Sequence, residues 1–329
     1  MNVSSLPLVL VSHTLPDGWL DLLENHCRMV IGPKDANELT AQLASFLPDA
    51  EGLFSLLTIN VNEALLSKAP KLKVVSNMAV GFDNVDLDAC TQRGIPVGNT
   101  PGVLTDGTAD LTMAIMLAAA RRIIEANLDA RQGRWKTWSP TGWLGKDLRG
   151  ATLGIIGMGQ IGTAVAERAT GFGMKIIFSD PDPDLGKAKR LRAKHVTLET
   201  LIKDSDFISL HIPLTPETHH LINGDTLKRM KPSSLLINTS RGPIVDPSAL
   251  IKALEGDWIA GAALDVTDPE PLPQDHRLFE LPNCLIVPHI GSATWNTRRQ
   301  MAERACENLI AGLEGRHLPY CVNPEVYNS

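Results

Sequence analysis

The sequence predicts a doubly wound α/β protein built on two parallel sheets, and three observations predict it. Short apolar runs alternate with helical patterns in two separate series along the 329 residues. A glycine-rich turn, Gly157-x-Gly159-x-x-Gly162, lies between an apolar run and a helical pattern where the second series begins. The chain also exceeds the length at which a single core stops growing, so two lobes are expected.

The first series starts with a buried strand at 8–12, and Pro16 opens a helix running to about Cys27. Leu39, Leu43, Phe46 and Leu47 recur at helical spacing within a helix over 35–47, followed by a strand at 52–59. A short helix at 62–68, a strand at 72–76, a helix at 86–93 stopped by Gly94 and a strand at 95–98 complete the series. The rhythm then changes. One long apolar helix is expected over 105–127, followed by an arm at 131–148 with Trp135, Trp138 and Trp143, half of the six Trp in the chain. Trp is favoured at interface hot spots, so this arm should cover a neighbouring element or dock on another subunit.

The second series places strands at 153–156, 175–178, 207–211, 234–238, 260–265 and 285–288. Helices fall at about 160–172, 198–203, 225–230 and 247–255, with a last one at 297–313. A helix after the last strand of one domain often packs back on the other. The expected division is therefore discontinuous, with 1–101 and 293–329 in one lobe and 102–292 in the other, and ligands in the cleft between them.

Composition narrows the function classes. A net charge of -6 leaves no basic footprint and argues against nucleic acid as a partner. Cys27, Cys90, Cys284, Cys306 and Cys321 form no CxxC, which points to free thiols in a reducing, cytoplasmic setting. The start at 1–5 has no basic region, Pro7 interrupts the apolar run at 6–11, and the apolar stretch at 111–120 is short of a bilayer. No secretory signal and no membrane partner are expected. No metal is expected either, because adjacent side chains such as His219 and His220 should diverge and no ligand cluster accompanies them.

The glycine turn carries the cofactor reading. Gly157 permits the tight turn, Gly159 lets backbone approach a pyrophosphate, and Gly162 lets helix and strand pack closely, while the helix N-terminus faces the phosphates. The next strand ends at Asp180, 23 residues past Gly157, where a ribose-binding acid is expected. A carboxylate there accepts from two ribose hydroxyls and repels a 2′-phosphate, so NAD(H) is favoured and NADP(H) remains possible. The basic residues Lys187, Lys189, Arg190 and Arg192 read as a solvated helix face.

Hydride transfer to a carbonyl also needs a proton donor and an anchor for the substrate. Four polar segments stand at the ends of expected strands, the edge where such sheets bind ligands: His211 to Thr215, Asn238 to Gly242, Asp265 to Pro271 and Pro288 to Thr294. Arg241 suits bidentate grip of a carboxylate. Glu270 and His289 suit a proton donor whose charged form a carboxylate stabilises.

Together these segments resemble the D-2-hydroxyacid dehydrogenase family, in the right order and over nearly the whole chain. The stretches from Val75 to Gly81, Leu104 to Asp110 and Trp135 to Pro140 are most similar to its glyoxylate/hydroxypyruvate reductase branch. The resemblance implies a Rossmann NAD domain inserted in a flavodoxin-like substrate domain, with an interdomain active-site cleft. Arg241 would bind the substrate carboxylate and polarise the keto oxygen, His289 would be the general acid in reduction, and Glu270 would fix its tautomer and favour its protonated form. Val80 and Gly81 would give backbone amides to the carboxylate. Ser292 would line the pocket, and Trp138 would reach the substrate site of a partner subunit. Gly157, Gly159, Gln160, Ile161 and Gly162 would hold the pyrophosphate and Asp180 the ribose. Thr108 would sit near the phosphates and Thr239 and Asp265 at the nicotinamide end, with Pro213 and Gly291 completing the cofactor site. The substrates implied are small 2-keto acids, glyoxylate and hydroxypyruvate, giving D-2-hydroxy acids, in a homodimer joined through the 102–148 helix and arm. Alternatives within the fold are another D-2-hydroxyacid dehydrogenase, a phosphite dehydrogenase, whose relatives carry Lys where Val80 stands, and an NAD-sensing corepressor-like protein.

Overall fold

A computed structural model describes residues 6–328; residues 1–5, read above as lacking a basic region, lie outside the described residues. The chain divides into two compact units, one running to Leu104 and resuming at Thr294, the other spanning Thr105–Ala293.

The first unit contains β1 (Leu8–Val11), β2 (Arg28–Ile31), α1 (Ala41–Ala44), β3 (Gly52–Ser55), α2 (Glu63–Leu66), β4 (Val74–Asn77), α3 (Leu87–Gln92) and β5 (Val97–Gly98). All strand pairs are parallel, in the order β2-β1-β3-β4-β5. That is the flavodoxin-like doubly wound order. β1, β3 and β4 are buried throughout, as central parallel strands are, although Ser55, Ser76 and Asn77 close the latter two with polar side chains. Thr40, Asn62 and Asp86 cap α1, α2 and α3 with their side chains, and Gly94, at φ +69°, follows α3.

Three expectations for this unit are corrected. The helix from Pro16 to Cys27 is a series of turns with one short 3-10 stretch, Asp21–Leu23, because Gly18 (φ +81°) and Asn25 (φ 68°) take left-handed conformations. The helix over 35–47 shrinks to α1 and a 3-10 turn, since the Thr40 cap starts α1 at Ala41 and Pro48 lies in the turn that follows. β2 was not expected at all. Its half-exposed position at the sheet edge removes the apolar pattern that marks a central strand.

The second unit opens with α4 (Thr105–Ala120) and α5 (Ile123–Arg131) in place of one long helix. The break is tertiary in origin: the Lys146 amide, returning from the Trp arm, donates to Ala120 O at 2.8 Å, and Arg122 turns left-handed at φ 52°. Next come β6 (Thr152–Ile156), α6 (Gln160–Gly171), β7 (Lys175–Ser179), α7 (Leu185–Arg190), β8 (Lys194–His195), α8 (Leu198–Asp204) and β9 (Phe207–Leu210). α9 (Gly224–Arg229), β10 (Leu235–Asn238), α10 (Pro247–Glu255), β11 (Gly261–Leu264) and β12 (Cys284–Ile286) complete it. The sheet has seven parallel strands, ordered β12-β11-β10-β9-β6-β7-β8, one more than the six expected. The extra one, β8, is a two-residue exposed edge pair with no apolar signal. Strand order reverses between β6 and β9, the switch point at which ligands bind in such sheets.

α11 (Trp295–Leu313) returns to the first unit and covers β4. Ser76 Oγ donates to Ala305 O at 2.7 Å, and a Cβ on Gly312 would come within 2.5 Å of Val74. Burial pushes the Cys27 thiol up to about 11 and those of Cys90, Cys284 and Cys306 to about 12, so these thiols stay protonated. Among the described residues no helix is long and apolar enough to cross a membrane.

Candidate active site

The glycine turn closes β6 onto α6, and its three glycines answer to three different demands. Gly157 has φ +91°, and a Cβ there would lie 2.5 Å from His211 O. A Cβ on Gly162 would lie 2.1 Å from Gly157 O. At Gly159 a Cβ would meet no protein atom within 4 Å. Only the middle glycine is unexplained by the protein itself.

The same residue is the N-cap of α6 and offers no side-chain cap, whereas Asp184, Thr197, Asn223 and Asp246 cap α7 to α10. Four of the first-turn amides of any helix need external partners. Open space at Gly159 over an uncapped helix start suits a phosphate group. The turn from Gly159 to Gly162 therefore fits the pyrophosphate of a dinucleotide, which its free amides would hold. Thr105 Oγ1 donates to Gln160 Oε1 at 3.3 Å, so the Gln160 side chain is turned toward α4.

Asp180 stands one residue past β7. Its Oδ2 accepts from Met158 N at 2.7 Å and its Oδ1 from Asp182 N at 3.0 Å, which ties the carboxylate to the glycine turn. His211, just past β9, has Nε2 2.8 Å from Ser209 Oγ, and burial pushes its imidazole down to about 3. A ring held neutral in this way is poorly suited to donate a proton. Pro213 is exposed, and its carbonyl accepts from Thr218 Oγ1 at 2.8 Å.

The ends of β10, β11 and β12 bring the proton-transfer and carboxylate candidates onto one edge. Asn238 Nδ2 donates to Arg241 O at 2.8 Å while its Oδ1 accepts from Ser240 N at 3.0 Å, fixing the turn that carries Arg241. A Cβ on Gly242 would fall 1.8 Å from Thr267 O, so the Arg241 turn abuts the β11 loop directly. Thr267 N in turn donates to Glu270 Oε2 at 3.3 Å. Glu270 Oε1 lies 2.5 Å from His289 Nδ1, and both side chains are partly exposed.

His289 itself sits at φ 50°, uncommon for a non-glycine residue. The loop around it is anchored by buried Asp265, whose Oδ1 accepts from Ile290 N at 2.6 Å and Oδ2 from Gly291 N at 2.8 Å. His289 N donates to Asp265 O at 2.9 Å. Burial pushes the Asp265 carboxyl up, opposed by the two amide donors and by His289. Ser292 follows, half-buried. Gly291 lies close to Thr108: a Cβ there would be 3.4 Å from its Oγ1. Thr239 Oγ1 is 2.9 Å from Thr112 Oγ1, a buried residue given no role by the sequence reading although it lies one helical turn after Thr108.

Val80 and Gly81 belong to the first unit, in the loop after β4. Ala79 O accepts from Thr100 N at 2.8 Å and Val80 O from Asn99 Nδ2 at 2.8 Å. In a trans peptide the N–H points opposite the C=O, so the Val80 and Gly81 amides both turn away from residues 99–100. Two adjacent amides facing one way suit an anionic ligand. In the arm, Trp138 is 80% exposed and Trp135 74%. The His219 and His220 rings do not diverge as expected but stack at 3.9 Å, His220 being left-handed at φ 51°. Among the described residues no group of three or more His, Cys, Asp or Glu could hold a metal ion.

A profile described as D-isomer specific 2-hydroxyacid dehydrogenase, NAD binding domain, matches residues 113–291. A glyoxylate reductase from Korarchaeum cryptofilum is 46% identical over 321 residues, covering 97% of each chain. The chain belongs to the D-2-hydroxyacid dehydrogenase family. The crystal structure of the TT0316 protein from Thermus thermophilus superposes on this dehydrogenase with a TM-score of 0.89 at 47% identity, covering 96% of this chain and 99% of that one. An NADPH-dependent glyoxylate/hydroxypyruvate reductase from Sinorhizobium meliloti, in complex with NADP and malonate, gives 0.83 at 33% identity, covering 97% and 98%. The family is one of nicotinamide-dependent oxidoreductases, and this dehydrogenase carries their two parallel-sheet domains.

Proposed function

We propose that this dehydrogenase reduces small 2-keto acids, with glyoxylate and hydroxypyruvate the leading candidates, to D-2-hydroxy acids, and that it favours NAD(H). The observation that carries the reading is the 2.5 Å contact between Glu270 Oε1 and His289 Nδ1 on the strand edge that also bears Arg241. With Nδ1 facing the carboxylate, Nε2 is the nitrogen left to serve a substrate oxygen. A bound reduced nicotinamide supplies the hydride to the carbonyl carbon. His289 then gives the Nε2 proton to the developing alkoxide, and Glu270 stabilises the imidazolium beforehand. Arg241 grips the carboxylate and polarises the keto oxygen, and Ser292 lines the same pocket. Configuration at the new hydroxyl follows from family membership.

The NAD(H) preference rests on Asp180, a carboxylate that a 2′-phosphate would approach at a Coulombic cost. Thr108, Thr239, Asp265, Pro213 and Gly291 line the rest of the cofactor site in this reading. A steady-state panel of glyoxylate, hydroxypyruvate, pyruvate, bulkier 2-keto acids and phosphite with both cofactors tests it. A preference for phosphite, or turnover of none, would overturn it.

The exposed Trp135 and Trp138, the wholly unburied helix α5 with Ile124 and Leu128, and an adjacent groove of about 1020 Å³ flanked by Leu144 and Phe279 support a homodimer through this face. Trp138 then reaches the substrate site of the second copy. Light scattering gives the mass, and a fully active monomer would remove Trp138 from the site.

A further inference from the structure

A hydroxyl carries one proton and two acceptor lone pairs, so a chain of hydroxyls has a direction that one fixed end can set. Thr112 Oγ1 lies 2.8 Å from Thr108 O, one turn back on α4, and 2.9 Å from Thr239 Oγ1 at the end of β10. A carbonyl can only accept. The single Thr112 proton is therefore committed to Thr108 O, and Thr112 is left to accept from Thr239. Reversing the chain would place two unprotonated oxygens 2.8 Å apart at fully buried Thr112, a repulsive contact that the observed direction avoids.

We propose that Thr112 is a positioning residue that fixes the polarity of the Thr239 hydroxyl, so that Thr239 meets the cofactor as an acceptor only. The register Asn238↔Leu264 puts Thr239 level with Asp265 on the next strand. Both Asp265 oxygens already accept from amides, so each turns a lone pair rather than a proton toward the loop. The Thr239 and Asp265 side chains thus turn acceptors to the same side, which selects a ligand group rich in N–H. A primary carboxamide, the substituent of the nicotinamide ring, has two. The inference rests on the reading of Thr239 and Asp265 as the nicotinamide end of the site.

The test measures dissociation constants by fluorescence titration for NADH and for its reduced 3-acetylpyridine analogue, which keeps the carbonyl but has a methyl group in place of the NH₂. The native dehydrogenase should bind the analogue about tenfold more weakly, the worth of one to two hydrogen bonds. In Thr112→Val the freed Thr239 proton can turn to the acetyl oxygen, and the gap should narrow to about twofold. Thr112→Ser should keep the native gap. An unchanged gap in Thr112→Val with native thermal unfolding overturns the proposal. Should Thr112→Val fail to fold, Thr239→Val removes the acceptor directly, and retention of the full gap there overturns it as well. Native protein that binds neither compound would overturn the cofactor reading itself, and the proposal with it.

Discussion

His289 Nδ1 stands 2.5 Å from Glu270 Oε1, and the other Glu270 oxygen accepts from Thr267 N at 3.3 Å. The carboxylate is thus held by its own loop while it holds the imidazole. Replacing Glu270 with Gln keeps the shape but removes the negative charge beside His289 and lets the ring take either tautomer. The kcat/KM for keto-acid reduction should fall about 10²-fold, with NADH affinity within about twofold of native by fluorescence titration. Near-native turnover in Glu270→Gln would remove Glu270 from the mechanism.

Asp265 supports His289 from below. Its carboxylate satisfies the Ile290 and Gly291 amides, which follow a histidine held at φ 50°. Asp265→Ala leaves one buried and one half-buried donor unpaired and should cost about 1–3 kcal/mol of stability. Asp265→Asn keeps one acceptor oxygen and should lose about half as much. Urea melts of the three proteins test this, and native stability in Asp265→Ala would mean that the carboxylate does not brace the loop.

The parts of the fold written in local pattern were legible before any coordinates. Central strands such as 153–156 and 207–211 announce themselves because a parallel strand buried on both faces is mostly apolar. The elements missed lack that signature: β2 and β8 lie at sheet edges, half-exposed or polar. The split between α4 and α5 was invisible for another reason. It depends on Lys146 reaching Ala120 O across 26 residues of chain, a partner that no window of sequence contains. Site residues followed the same rule. Arg241, Glu270 and His289 stand out by residue type at strand ends, whereas Thr112 is an ordinary helical threonine until its distance to Thr239 is known.

The glycines offer a separation of folding from binding. A methyl group on Gly162 collides with Gly157 O at 2.1 Å, whereas on Gly159 it meets nothing within 4 Å. Gly162→Ala should therefore destabilise the second unit by about 1–3 kcal/mol, as overpacking does. Gly159→Ala should unfold like native protein yet bind NADH about tenfold or more weakly. Native affinity in Gly159→Ala would place the pyrophosphate elsewhere.

Asp180 is tied to the glycine turn, because its carboxylate accepts from Met158 N and Asp182 N. Asp180→Ser keeps one acceptor and removes the charge facing a 2′-phosphate. The ratio of kcat/KM for NADH over NADPH should drop about tenfold or more. An unchanged ratio would point to Lys187, Lys189, Arg190 and Arg192 as the discriminating charges.

His211 gives the protein an acid-sensitive contribution to stability. Burial lowers its imidazole from the ordinary 6.5 to about 3, and its Nε2 sits 2.8 Å from Ser209 Oγ. Between those values the unfolded chain binds a proton that the folded chain refuses, so stability rises with pH across the window. The contribution is present in full above 6.5 and is lost progressively as pH falls toward 3, by at most about 1.4 kcal/mol per pH unit. Going from about pH 7.5 to about pH 5.5, urea melts of the native protein should lose about 1.4 kcal/mol more than those of His211→Gln, which cannot titrate. Parallel losses in the two proteins would show that the His211 ring accepts a proton as readily in the folded chain as in the unfolded one.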